Sequence, residues 1–147
     1  MFTRIVVGTD GSDTAAEAVR QAIDLTRLTG ATLSIVSAYA PVPKRRIQGE
    51  QEGAPPDIAH GIGPREDVNL VLDAAAAEAR SAGAEVRTHP VEADPADAIL
   101  NVAEEIKADL IVVGNKGMTG ARRYFLGSVP NNVTHHAPCS VLVVQTT

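Results

Sequence analysis

Gly114, Gly117, Gly127 and Ser128 form one spaced pattern, G-x-x-G-x(9)-G-S, which begins where the apolar run Leu110-Ile111-Val112-Val113 stops. Glycine lacks a Cβ, so main-chain N–H groups can approach an anion closely there, and the serine hydroxyl adds a donor. The pattern points to a phosphate cradle, with a nucleotide as the expected ligand. A second short loop, Gly8-Thr9-Asp10-Gly11-Ser12, follows the apolar Ile5-Val6-Val7. Its carboxylate, Asp10, offers hard oxygens that could reach Mg²⁺ through bound phosphates, or could close the loop by a main-chain hydrogen bond. Neither loop matches the P-loop spacing G-x-x-x-x-G-K-[ST] or the dinucleotide fingerprint G-x-G-x-x-G after the first strand.

The remaining polar residues offer no catalytic pair. His135-His136 sit where a helix should end and suit its negative pole, with no second ligand at metal spacing. His60 and His89 are isolated and read as surface residues, and Glu104-Glu105 fall on a polar helix face. The single cysteine, Cys139, can form no internal disulfide and reads as a small buried apolar residue.

The two loops need elements to hold them. Arg4 to Val7 is a strand, after which Ala15, Ala18, Val19, Ala22 and Ile23 recur at helical spacing. Thr14 and Glu17 can form a capping box, Ser12 or Asp13 can cap instead, and Gly30 stops the helix. Thr32 to Tyr39 is a second strand. Pro41 to Pro64 is rich in Pro, Gly and charge, longer than the roughly 12–15 residues that bound ordinary connections. It is either a solvated loop or a flap whose basic triplet Lys44-Arg45-Arg46 folds over an anionic ligand. A helix follows from about Glu66 to Ala82, closed by Gly83, with Val68, Leu72, Ala75 and Ala79 on its apolar side. Strand three is Glu85 to Val91. Asp94 caps the next helix with Pro95 at its first position, and Ala98, Ile99, Val102, Ala103 and Ile106 make its stripe. Leu110 to Val113 is strand four, Ser128 to His136 a short helix in which Ser128 can be an N-cap, a phosphate donor or both, and Ser140 to Val144 strand five.

Continuous apolar strands alternating with helices imply one α/β domain: a doubly wound, five-stranded parallel sheet of Rossmann-like or flavodoxin-like type, with strand order 3-2-1-4-5. Ligands in such folds bind beyond the carboxyl ends of the strands where the winding reverses. In that order strands one and four are neighbours at the reversal, so Asp10 and the segment Gly114 to Ser128 face one crevice. Strand five lies at the sheet edge, where unpaired main-chain groups invite a second strand.

Composition bounds the rest. The 147 residues suffice for one domain with its own core, 44% hydrophobic and 21% charged, and no apolar run approaches the roughly 20 residues of a membrane span. No membrane association is expected. A net charge of −5, only two Phe and two Tyr, and no Trp argue against nucleic acid, which wants a basic face and stacking platforms. Without a long apolar leader in Met1 to Val7, the expected compartment is cytoplasmic.

The residues also carry a resemblance. Besides the spaced glycine pattern, the opening Ile5-Val6-Val7-Gly8-Thr9-Asp10-Gly11-Ser12, the run Asp109-Leu110-Ile111-Val112-Val113-Gly114 and the ending His136-Ala137-Pro138-Cys139-Ser140-Val141-Leu142-Val143-Val144 resemble universal stress proteins of the ATP-binding branch across essentially the whole chain. The resemblance implies that Gly8, Thr9, Asp10 and, at the end of strand two, Ala38 approach the adenosine. It implies that Gly114, Asn115, Gly117, Gly127, Ser128 and the Val129 main chain hold ribose and phosphates. It further implies ATP or another adenine nucleotide, cyclic AMP included, with Mg²⁺ in a secondary place, and a homodimer through antiparallel pairing of residues 141–144. Two positions depart from the family's usual pattern: Asn115-Lys116 replaces a small hydroxyl residue or Arg followed by His, and Pro130 removes a main-chain donor from the helix start. The implied role is a regulatory binding module of the stress response. The alternatives are a slow ATP hydrolase or phosphoryl-transfer protein, and a nucleotide-independent dimeric scaffold.

Overall fold

A computed structural model describes residues 1–39, 64–115 and 126–146. Five strands, β1 (Arg4–Gly8), β2 (Thr32–Tyr39), β3 (Glu85–Glu92), β4 (Leu110–Gly114) and β5 (Ser140–Val144), alternate with four helices. These are α1 (Asp13–Thr29), α2 (Pro64–Ser81), α3 (Pro95–Ile106) and α4 (Ser128–His136). All strand pairs are parallel and the order is β3-β2-β1-β4-β5, the arrangement expected from the alternation of apolar runs and helical stripes. The pleat sends alternate strand residues to opposite faces. Ile5, Val7, Leu33, Ile35, Leu110 and Val112 pack under α1 and α2 in one buried cluster. Val6, Val36, Ile111 and Val113 pack under α3 and α4 in the other. The winding therefore reverses between β1 and β4.

β3 is an edge strand, and its Pro90 explains part of that placement, since proline cannot donate to a further ladder. The helix ends follow local chemistry, with some departures from expectation. α1 is capped by Ser12, whose Oγ accepts from Ala15 N at 3.2 Å. The Thr14–Glu17 box does not form because the helix already begins at Asp13, which puts Thr14 inside its first turn, and Glu17 accepts from Arg20 and Gln21. Asp94 and Pro95 occupy their expected positions, but the Asp94 side chain makes no cap hydrogen bond. α2 begins at Pro64, two residues early, because proline suits a first turn whose N–H groups lack partners in any case. α3 ends at Lys107 in the left-handed region, φ 56°, with its N–H turned to Ala103 and Glu104 carbonyls. Among the described residues no helix is long and apolar enough to cross a membrane.

Candidate functional site

The carboxyl ends of β1 and β4 open onto a cleft lined by Gly8, Gly114, Ile99 of α3, Thr14 and Ala15 of α1, and Val129 and Pro130 of α4, with Val113 beneath and Thr146 at the rim. It is narrow, with about 20 Å³ open to water, room for about one molecule. Three residues singled out from sequence, Gly8, Gly114 and Val129, line it directly. Absence of a side chain is what lets it exist. A Cβ on Gly8 would lie 2.5 Å from Ile99 Cδ1, and one on Gly114 would lie 3.1 Å from Thr146 Cγ2.

The glycine pattern is closed by a main-chain bond. Gly127 N donates to Asn115 O at 3.0 Å, so the chain that leaves β4 at Gly114 returns to the same point to start α4. Asn115 is a clamp in a second sense. Its N–H donates to Val144 O at 2.9 Å, while its Oδ1 accepts from Thr146 N at 2.9 Å and Thr146 Oγ1 at 2.8 Å. That side chain ties the residues after β5 across the mouth of the cleft. Gly117, Gly120 and Lys116, and likewise His60, residues 41–63 and the triplet Lys44-Arg45-Arg46, lie outside the described residues.

α4 presents the anion-binding potential. Its N-cap is Gly127 and not Ser128, which is the first helical residue, and among the described residues no side chain caps it. The N–H groups of Ser128 and Val129 stand in the first turn, where the helix supplies no acceptor and its positive pole lies. Pro130 has no N–H there, and Asn131 N already donates to Gly127 O at 3.0 Å. Ser128 is exposed and Val129 buried. The helix start thus offers two main-chain donors where its positive pole favours negative charge, and of the two residues Val129 lines the cleft.

The first loop is tied into its own turn. Buried Thr9 donates through N to Val36 O at 2.9 Å and accepts from Gly11 N through Oγ1 at 3.1 Å. Asp10 is exposed, and its Oδ1 accepts from Ser12 N at 2.9 Å, the loop hydrogen bond weighed as the alternative to metal ligation. Its second carboxylate oxygen leaves it able to supply one hard ligand to a phosphate-bound Mg²⁺. Among the described residues no three His, Cys, Asp or Glu gather as a metal cluster. Ala38 is half-buried at the end of β2, on the face shared with α3.

Sequence reasoning missed Thr14, Ile99 and Thr146. Thr14 carried a usable signal, since it begins the helix that follows the first loop. In the sequence Ile99 is one more residue of an apolar helix stripe, and nothing local marks Thr146, which reaches the cleft solely because β5 lies beside β4. Two dull residues also differ from expectation. His89 is half-buried and bonds Ser34 Oγ through Nε2 at 3.1 Å, because β3 turns it onto the covered face of the sheet. Cys139 is half-buried against the α3 side, and burial, with Asp109 nearby, pushes its thiol up and keeps it protonated.

Comparison with known proteins agrees with this fold. The universal stress protein family model matches residues 1–145. Universal stress protein Rv1636 of Mycobacterium tuberculosis is 39% identical over 147 residues, covering 99% of this chain and 98% of its own. A universal stress protein crystallised in complex with cAMP is 35% identical with a TM-score of 0.74, covering 99% of this chain and 98% of its own. The universal stress protein from Archaeoglobus fulgidus in complex with dAMP is 26% identical with a TM-score of 0.66, covering 97% and 98% respectively.

Proposed function

The chain belongs to the universal stress protein family, and from that premise we propose that it is an adenine-nucleotide-binding module whose occupancy regulates partners in the stress response. The observation that carries this reading is the uncapped start of α4. Val129 lines the cleft beside Gly8 and Gly114, at the point where the sheet's winding reverses, and the exposed Ser128 precedes it as the first residue of the helix. The phosphates lie against that helix end, with the Ser128 hydroxyl as a third donor. The nucleoside runs across the cleft's mouth toward Asp10 and Ala38, since 20 Å³ cannot enclose a purine. Asn115 belongs to the same cradle through the clamp it places on Gly127 and Thr146, and the spaced glycine pattern alone assigns Gly117 to it.

Relatives in complex with cAMP and dAMP support an adenine base, and the two-donor helix start, shortened by Pro130, favours few phosphates. Where more phosphates are present, Mg²⁺ would accompany them, with Asp10 as its one protein carboxylate. Binding rather than turnover is the output in this reading: hydrolysis needs a positioned water and charge stabilisation, and the described lining residues are apolar, glycine or hydroxyl. The lone cysteine suits a reducing compartment such as the cytoplasm.

Calorimetric titration with ATP, ADP, AMP and cyclic AMP, each with and without Mg²⁺, tests the proposal. Saturable one-site binding of at least one adenylate is expected. Absence of heat with all four at millimolar concentration, together with unmoved Gly114 and Val129 amides, would leave the scaffold reading standing instead.

A further inference from the structure

At the opposite end of the sheet, a groove of about 400 Å³ lies between the last turn of α3 and the first residues of β1, β2 and β3. A covered face of a doubly wound sheet should be apolar, yet this corner is polar on three adjacent strands. Arg4 pairs in register with Thr32 and Ser34 with Arg87, and His89 follows two residues on, on the α3 face. Lys107 adds a cation from the left-handed turn that ends α3. Three cations thus line one groove in a chain whose net charge is −5, against one carboxylate, Glu105. Among the described residues the ion pair is Glu17–Arg20, and none joins Arg4, Arg87 or Lys107 to a carboxylate. Ser34, 2% exposed, and His89 hold each other at 3.1 Å on the floor.

We propose that this groove binds a small phosphate-bearing anion, independently of the nucleotide crevice at the other ends of the strands. Two guanidinium groups and an ammonium match the charge and oxygen count of a phosphate better than those of a single carboxylate. Thr32, Ser34 and His89 offer neutral hydroxyl and imidazole partners to whatever the phosphate carries. Burial, opposed by Glu105 and reinforced by Arg87, holds the imidazole below its ordinary value, so it serves at neutral pH as a hydrogen-bonding group and not as a fourth cation. The negative pole of α3 and Glu105 work against the anion, which restricts the site to ligands that reach all three cations.

Pyrophosphate, inorganic phosphate and ribose 5-phosphate titrated into isotopically labelled protein test the assignment by amide shifts. Saturable movement of Ser34, Arg87, His89 and Lys107 is expected. The sugar phosphate should bind more tightly than inorganic phosphate, through Thr32, Ser34 and His89. Arg87→Ala combined with Lys107→Ala, both exposed, should weaken binding by about tenfold or more, whereas Arg20→Ala with Arg27→Ala removes equal charge elsewhere and should leave it unchanged. Shifts confined to Gly114, Asn115 and Ser128, equal losses in both double variants, or no saturable response to any probe in the folded wild type would overturn it.

Discussion

Single residues decide whether the cleft between β1 and β4 stays open. Gly8 is glycine because Ile99 Cδ1 occupies the space of its missing Cβ, a packing reason that coexists with any ligand. Gly8→Ala should cost about 1–3 kcal/mol from overpacking. Ile99→Val removes the clashing methyl, so in a double-mutant cycle by urea denaturation the pair should recover much of that loss. A cycle with no coupling would show that the two sites do not meet. Asn115 makes a different contribution: its side-chain Oδ1 accepts two bonds from Thr146. Asn115→Ala should cost about 1 kcal/mol, accelerate hydrogen exchange at the Thr146 amide and lower adenylate affinity; unchanged affinity beside faster exchange would confine Asn115 to holding the chain end.

Secondary-structure elements are set by their ends. Ser12 caps α1 with the hydroxyl that the capping-box reading had left as an alternative, and Ser12→Ala should lower stability by about 1 kcal/mol while leaving the far end of the sheet unaltered. β4 is anchored at its start by Asp109, which accepts from Thr3 N at 2.8 Å, Thr3 Oγ1 at 2.9 Å and Arg4 N at 3.0 Å. Burial works to raise this carboxyl, but those three hydrogen bonds outweigh it and hold the group below its ordinary range. A folded value below the unfolded one stabilises the protein at pH above the unfolded carboxylate value, about 4, and that contribution is lost as pH falls through the folded value. Asp109→Asn should therefore cost about 1 kcal/mol at neutral pH, solvent screening keeping it small, and little in strong acid. Thermal melts between pH 2 and 7 distinguish this from a loss that is the same at every pH.

For the molecule as a whole, the open question of assembly rests on β5. It is the edge opposite β3, and Leu142 is 39% exposed on it. An antiparallel homodimer through residues 141–144 would satisfy its unpaired main-chain groups. Light scattering should give twice the chain mass, and Leu142→Glu should give monomers that still bind adenylate; a wild type that stays monomeric at high concentration rules the pairing out. Much of the fold was legible in the sequence, because apolar period and glycine helix stops are local properties of the chain. Strand order followed from the rules of parallel crossover once the elements were recognised. Tertiary structure alone decided the rest. Ile99 and Thr146 reach the cleft, His89 turns inward onto Ser34, and Arg4, Arg87 and Lys107 share a groove. Each of these pairings joins residues far apart along the chain, and only strand register and helix packing bring such residues within reach, which no local periodicity encodes.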